Sequence, residues 1–599
     1  MNTSPTFKRS ALIVVTSLFL LIAAGRVLCL NLTHKELHVD EVWSIWQLLG
    51  TQTDYARDAT WPPLYYMVLD GWRHLVGIHP LALRYLSVLA FLVGAAGTYR
   101  LMRRLSNESA AQLGMVAYSA LALGIFLTTQ VRGYALVFAL VPVAFWLTAR
   151  YFARPSLKRA IVLALVMAAM FYSAYGSVGA FLMLGIYTLL VYRRAVWRWW
   201  LPGVIAGALA APEILNVWAL SVGRLRPLST VQMPQFLPGL ATFYLRSTGY
   251  STLIWILLAI LATLVIFARQ RPLRMKAIAL LVWGLGAVLL YVTQRFLGLF
   301  DSVYGWFITL GATLWIAWGL SYLPRLAKVG AVVVLIGVML TPVPYENFEA
   351  EPPPLGRSFE VLAQNVHWGD VLVIDPLWKD RYCQCIDAEV FDYLIKLYFP
   401  QGLQIVTDPR GYRRVWYLKW DSLEDKDFQK IVQQGRMAGK FVGPPEALFR
   451  LYEAPPDPVG TAFDNGLRFH GMEPVDQIPA PLARRVLDTV RIRLWWSVDK
   501  PLPFDYSIGV QVFYQGQLAI QSDSGPQLAD PSLPKATSQW QPGQFYIEER
   551  ELHIPRQFTT GAYSIYLTVY QWWDQTRIGA PGGNQDKLLP IGTLYVKAW

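Results

Sequence analysis

The chain has 599 residues, of which 54% are hydrophobic and 16% charged, with a formal net charge of +13. Soluble chains carry about 25% charged residues. Here the apolar excess is concentrated in the first 342 residues, which excludes a wholly soluble protein. The positive balance would suit a nucleic-acid binder. Much of it lies in short loops between apolar runs, so membrane topology explains it and no nucleic-acid partner is expected. The cysteines are Cys29, Cys383 and Cys385, and the CQC spacing is tighter than metal or redox motifs use.

Eleven apolar runs are long enough to cross a bilayer, near 11–30, 82–101, 110–128, 134–149, 160–174, 177–192, 201–219, 251–268, 277–293, 304–323 and 328–342. Alternate loops hold eighteen basic residues, from Lys8 and Arg9 through Arg103 and Arg104 to Arg325 and Lys328. The opposite loops hold eight, spread over longer stretches. Cytoplasmic loops are the richer in Lys and Arg. The N-terminus is therefore expected inside and the C-terminal half outside. The first span lacks a small-x-small cleavage site and reads as a retained anchor.

The outer loop from Asn31 to Leu81 carries HVDEVWS and then WPPLYYMVLDGW. Asp40 and Glu41 begin its motif just past the first span, where an ionisable pair is a functional-site hypothesis. Val42–Leu49 and Leu64–Val76 mix aromatic and polar residues and read as interfacial helices that can roof a cavity. Pro62 and Pro63 suit the first turn of the second one. Three further places put polar groups on the outer face. Arg84 interrupts LALRYLSVLAF, Gln130, Arg132 and Tyr134 lie in TTQVRGYAL, and Arg295 and Tyr304 flank QRFLGLFDSVYGW. Snorkelling to the headgroups is the plain reading of an arginine near a span end. It suits Arg84 and Arg132 less, because their side is otherwise poor in positive charge. Cations gathered near carboxylates on one face suit a phosphate-bearing molecule, whose oxygens match the guanidinium fork.

These four motifs, DEVWS, WPPLYYMVLDGW, LALRYLSVLAFLVGAAGTYRLMRRL and TQVRGYAL, in this order, resemble bacterial glycosyltransferase family 39 and its relatives in the GT-C superfamily. Those relatives include protein O-mannosyltransferases and lipid A aminoarabinose transferases. The resemblance covers about residues 10–345 and is best over 38–134. It implies a multi-pass protein of the bacterial inner (plasma) membrane. It also implies a polyprenyl-phosphate-linked sugar donor and a lipid, glycan or protein acceptor on the outer face. Asp40 becomes the leading catalytic residue with Glu41 as its neighbour. Pro62, Pro63, Tyr65, Arg84, Gln130, Arg132, Tyr134, Arg295 and Tyr304 become candidate substrate contacts, with Arg132 near the donor phosphate. The tenth span opens with SVYGWF where relatives often carry an Arg-Tyr pair.

The chemistry agrees. Sugar transfer from a polyprenyl phosphate breaks an anomeric C–O bond and releases a phosphate monoester. One carboxylate deprotonates the acceptor, and arginines or a divalent metal stabilise the departing phosphate. Asp40, Glu41, Asp54 and Asp58 offer the oxygen ligands such a metal would need. A lipid-linked oligosaccharide ligase or polymerase, and a transporter, are the competing classes. A transporter should show an internal repeat, and no second copy of the 1–170 pattern is evident.

Beyond a Pro- and Glu-rich linker, GDVLVID, DAEVFDYLIKLYF, LQIVTD, RRVWYLKW, a charged helix to about Met437 and ALFRLYEA alternate strand and helix. This reads as a small α/β domain over 346–456, without a Gly-rich phosphate loop. A second linker, PPDPVG, opens 457–599. Its short segments, from TVRIRLWWSV to IGTLYVKAW, read as an antiparallel β-sandwich. The fold class expected is thus a GT-C-like helical membrane domain over 1–345 followed by these two extracytoplasmic domains. Two readings of the tryptophans in QWWDQ stay open. They fill the sandwich core, or they stand exposed and stack on sugar.

Overall fold

The computed structural model describes residues 62–221, 248–269, 278–284, 309–341, 355–367, 369–376, 388–419, 425–445, 447–475, 482–485 and 488–597, with Ile22, Gly25, Glu41, Ser44, Ile45, Leu245, Met275 and Lys276. Contacts divide the chain into two units, Met1–Pro353 with Ala388–Tyr393, and Pro354–Asp387 with Leu394–Trp599.

The first unit is helical. Helix α1 (Pro63–Val76) begins where the Pro pair fixes the backbone, with Pro62 at the cap and Pro63 at the first helical position. It buries Tyr65, Tyr66 and Leu69 and exposes Met67, Val68 and Leu75, the split expected of an interfacial helix. Helix α2 (Pro80–Leu105) follows at once and ends in Arg103 and Arg104, cations placed at the negative end of the helix dipole. Asn107 caps α3 (Glu108–Ser119) by accepting from the Ala110 amide at 2.9 Å.

The apolar run 110–128 reads as one span but folds as two helices. Leu121 takes an extended backbone (φ -67°, ψ 120°), and α4 (Ala122–Thr128) leaves α3 at 60°. Then come α5 (Tyr134–Ala153), α6 (Leu157–Phe171), α7 (Val178–Val191), α8 (Trp200–Ser221), α9 (Thr252–Arg269), α10 (Thr309–Leu320) and α11 (Arg325–Met339). Among the described residues three helices are long and apolar enough to cross a membrane, or four if the bent pair forms one span. The other apolar runs form shorter or proline-bearing helices or fall partly outside the described residues. At Gly94 an added Cβ would lie 2.8 Å from the Ala139 Cα, so α2 and α5 approach closely because this position has no side chain. Phe91, Tyr118 and Phe138 stack beside that crossing.

The second unit opens with α12 (Leu355–Ala363) and a five-stranded mixed sheet in the order β2-β1-β3-β5-β4. Its strands are β1 (Val371–Ile374), β2 (Gln404–Ile405), β3 (Arg414–Lys419), β4 (Met437–Val442) and β5 (Leu448–Glu453), interleaved with α14 (Lys426–Gln433) and with α13 (Ala388–Tyr398), of which Ala388–Tyr393 count with the first unit. The first three pair in parallel, and β5 joins β3 and β4 antiparallel.

Two further sheets enclose a second core. One holds β11 (Gln517–Ser524), β10 (Tyr506–Tyr514), β13 (Gly561–Gln571), β15 (Leu589–Lys597) and β8 (Leu482–Arg485), with β14 (Arg577–Ile578) on β13. The other holds β12 (Tyr546–His553), β9 (Thr489–Val498), β7 (Leu467–Pro474) and β6 (Thr461–Ala462). Leu494, Trp496, Val510, Val512, Ile565 and Leu567 fill the space between them. The wholly antiparallel expectation needs one correction: β8 pairs with β15 in parallel. That pairing is set by chain distant in sequence, which alternation within a segment cannot reveal.

A buried ion network runs through this unit. Arg414 reaches Asp370 at 2.7 Å and Glu453 at 2.6 Å. Arg493 reaches the other Glu453 oxygen at 2.7 Å and Glu473 at 3.3 Å. Arg413 also pairs with Glu473, and the indoles of Trp416 and Trp495 donate to Asp370 and Glu473. Each carboxylate therefore has several donors, as burial of charge requires.

Candidate functional site

A carboxylate without solvent needs compensating charge and donors. Glu41 is helical and fully buried, and it has both. The Arg84 Nε donates to its Oε1 and Nη2 to its Oε2, each at 2.9 Å. The backbone amide of Val131 donates to the same Oε1, also at 2.9 Å. This is the bidentate fork that only arginine can present. One helical turn beyond Arg84, Ser87 Oγ donates to the Gln130 carbonyl at 2.7 Å. Positions i and i+3 share one face of a helix. Arg84 and Ser87 on α2 thus act together with Glu41 to pin the turn between α4 and α5.

The other wall comes from α1 and the end of α6. The Leu64 amide donates to the Tyr172 carbonyl at 2.9 Å, and the Trp72 indole to the Ala82 carbonyl at 2.8 Å. Gly133 shows how closely these parts meet. A Cβ there would lie 2.5 Å from the Ser173 carbonyl oxygen and 3.2 Å from Tyr65 Cβ. A larger residue at 133 has no room, so the turn can close only with glycine. Burial, with a smaller contribution from the neighbouring Glu41 charge, pushes the Tyr65 phenol well above its ordinary range.

Arg132 lies in this pinned turn and is buried. Its guanidinium carbon lies 4.9 Å from the Tyr134 ring centroid, a cation–π distance. Gln130 beside it is buried. The structure thus brings together Glu41, Tyr65, Arg84, Gln130, Arg132 and Tyr134, with Pro62 and Pro63 at the start of the helix that carries Tyr65. Asp40, Asp54, Asp58, Arg295 and Tyr304 lie outside the described residues.

The geometry refines one expectation. Arg84 as a substrate contact meets a physical obstacle: its fork is engaged by Glu41. Both Glu41 oxygens accept hydrogen bonds, from Arg84 and the Val131 amide. Among the described residues no group of three or more His, Cys, Asp or Glu is placed to hold a metal ion. Ser87 and Gly133 were not among the candidates read from the sequence. The signal for Ser87 was its spacing from Arg84, and for Gly133 its place in QVRGY between two helices.

No family model matches the chain, and no curated protein matches it. Among solved structures the chain is similar to ArnT from Cupriavidus metallidurans bound to undecaprenyl phosphate, with TM-score 0.46 and 12% identity over 75% of this chain and 98% of that one. It is also similar to the archaeal oligosaccharyltransferase AglB from Archaeoglobus fulgidus in complex with an inhibitory peptide and a dolichol-phosphate. There the TM-score is 0.44 and identity 7%, over 98% of this chain and 99% of that one.

Proposed function

We propose that the chain is an integral-membrane glycosyltransferase that moves a sugar from a polyprenyl-phosphate-linked donor to an acceptor hydroxyl on the outer face. The observation that carries this reading is the Glu41–Arg84–Val131 clamp. It rigidifies the one turn that presents Arg132, and it draws the DE motif, the α2 motif and the QVRGY motif into one place. Those motifs are the ones on which the resemblance to family 39 transferases rests.

Each residue then has a task. Arg132 binds the donor phosphate and stabilises the charge that develops as the anomeric bond breaks. A rigid turn keeps that cation in position without reorganisation. Glu41 is a positioning residue, its carboxylate held by Arg84 and the Val131 amide. Asp40 takes the proton of the acceptor hydroxyl. The proton goes from acceptor to Asp40, the acceptor oxygen bonds to the anomeric carbon, and the polyprenyl phosphate leaves with the bonding pair. The topology proposed with it has eleven spans, an internal N-terminus and an external soluble half, with domains at 1–345, 346–456 and 457–599.

The experiment is transfer of a single labelled sugar from polyprenyl phosphate by the purified chain in nanodiscs, supplied with membrane extract as acceptor. Label should move to the acceptor fraction in proportion to enzyme. Transfer only of preassembled oligosaccharide from a lipid carrier would replace this reading by a ligase. Solute uptake into vesicles without any sugar transfer would replace it by a transporter.

A further inference from the structure

The sandwich exposes aromatic rings that its own packing does not need. Its core is closed by the fully buried Trp496 and Trp540, yet Trp572 is 65% exposed, Trp573 46% and Phe504 51%. The three form a contiguous cluster. Phe504 and Trp573 meet edge to face at 5.3 Å, and Trp572 and Trp573 at 5.9 Å with perpendicular rings. The core reading of QWWDQ is therefore set aside. A contiguous exposed apolar cluster on a folded domain calls for a binding role.

The rings are held by a tight turn. The Gln571 amide donates to the Thr576 carbonyl at 3.0 Å, Gln575 N–H to the Gln571 carbonyl at 2.8 Å, and Thr576 N–H to Asp574 Oδ1 at 2.9 Å. Gln575 takes the left-handed backbone that closes the turn (φ 59°). Trp572 thereby forms one wall of an open groove of about 490 Å³. The rest of the lining is mixed: Asp505, Ser507, Gln527 and Lys535 offer polar groups beside Tyr506, Pro526 and Ala536. Its floor is braced by the Tyr506 amide on Thr537 Oγ1 and the Ser538 amide on Asp505 Oδ1, each at 2.9 Å.

An aromatic face beside hydroxyl, amide and carboxylate groups matches a pyranose ring, which is apolar on its C–H face and polar around its rim. Charge argues against a membrane anchor. The groove lining carries one cation, Lys535, against one carboxylate, Asp505, and Asp574 lies in the turn itself. Aromatic patches that anchor to anionic lipid are accompanied by Lys and Arg clusters. The same neutrality disfavours a phosphate ligand. We infer that the C-terminal sandwich carries a binding site for neutral saccharide, with Trp572 as the stacking platform and the 505–537 groove supplying hydrogen bonds. This rests on the sandwich alone and stands whether or not the chain transfers sugar.

The test uses the full chain in nanodiscs and three soluble probes: neutral hexasaccharides of glucose, mannose and N-acetylglucosamine. Binding is followed by calorimetry and by saturation-transfer NMR. At least one probe should bind. Trp572→Ala should weaken it at least about tenfold, the usual cost of removing an aromatic anchor. Trp572→Phe keeps a ring and should bind within about threefold of the parent. An unchanged thermal midpoint shows that the variants fold. Absence of binding to all three probes, or equal binding by Trp572→Ala, would overturn the inference. So would quenching by brominated lipids of the fluorescence that Trp572→Phe removes, because the ring would then lie in the bilayer.

Discussion

Each unit buries charge, and each does it differently. In the helical unit the Glu41 carboxylate meets the Arg84 guanidinium and the Val131 backbone amide. In the soluble unit Asp370, Glu453 and Glu473 share Arg413, Arg414 and Arg493, with two indoles adding hydrogen bonds. In the first arrangement the Arg84 fork grips one acid. The second distributes the load, so removing one member leaves the others partnered. The difference separates two uses of buried charge. A single clamp sets the position of one turn, whereas a shared network joins sheets and tolerates loss.

Arg84→Met should therefore have the largest effect on stability. It takes the Arg84 countercharge from the buried Glu41, a loss of about 3–5 kcal/mol. Thermal unfolding in detergent should show it, and the double change Arg84→Met with Glu41→Gln should recover part of it. If the double variant is no more stable than Arg84→Met, the clamp does not carry the charge that its geometry assigns. Arg493→Met in the soluble unit should cost less, about 1–3 kcal/mol, because Glu453 and Glu473 keep Arg414 and Arg413. A loss as large as that of Arg84→Met would show that the network does not share its load.

Arg132→Lys sharpens the contrast from another side. The account gives Arg132 a binding task, not a supporting one. Lysine keeps the charge and loses the fork, so apparent donor affinity should weaken about tenfold, or 1.4 kcal/mol, with an unchanged thermal midpoint. A lowered midpoint with normal donor kinetics would make Arg132 part of the clamp.

The smallest effect is pH dependence in the soluble unit. Burial alone would raise the Glu453 carboxyl, but Arg493, Arg414 and Arg413 more than offset it and hold it below 4.5. Burial, and then Arg414, lowers the His367 imidazole from 6.5. Both groups have depressed folded values, so each contributes stability that is present above its ordinary value and lost as pH falls. The thermal midpoint should decline in two stages, first below about 6.5 and again below about 4.5. His367→Asn should flatten the first stage only. A midpoint that rises on acidification would contradict both assignments.

Much of this was legible in the sequence, for physical reasons that differ by region. The Pro pair announced the start of α1, because proline fixes the backbone and lacks the amide that a first turn cannot use. Alternation marked RRVWYLKW and TVRIRLWWSV as strands. It failed at LRFHGMEP, where β7 shifts register against β9 between Phe469 and Met472 and Gly471 takes φ 116°. It left MAGKFV unassigned beyond Met437, where the charged helix was expected to end, because small residues there carry neither period clearly. In the site, the acids and arginines were visible but their pairing was not. Glu41 and Val131 lie 90 residues apart, and Glu41 and Arg84 lie 43 apart. Only the helix packing brings them together, which is why the pairing of Arg84 with Glu41 was not legible in the sequence.

The central claim is the division of labour between two adjacent carboxylates, Asp40 as base and Glu41 as strut. Single-turnover sugar transfer, measured beside thermal midpoints for Asp40→Asn and Glu41→Gln, tests it directly. Asp40→Asn is nearly isosteric. It should slow transfer by about 10² to 10⁴, the usual worth of general base catalysis, with donor binding and midpoint unchanged. Glu41→Gln should lower the midpoint as well as the rate, because its amide cannot accept the Arg84 fork in the same way. Transfer at the wild-type rate by Asp40→Asn, or a Glu41→Gln chain of full stability with no activity, would contradict the account.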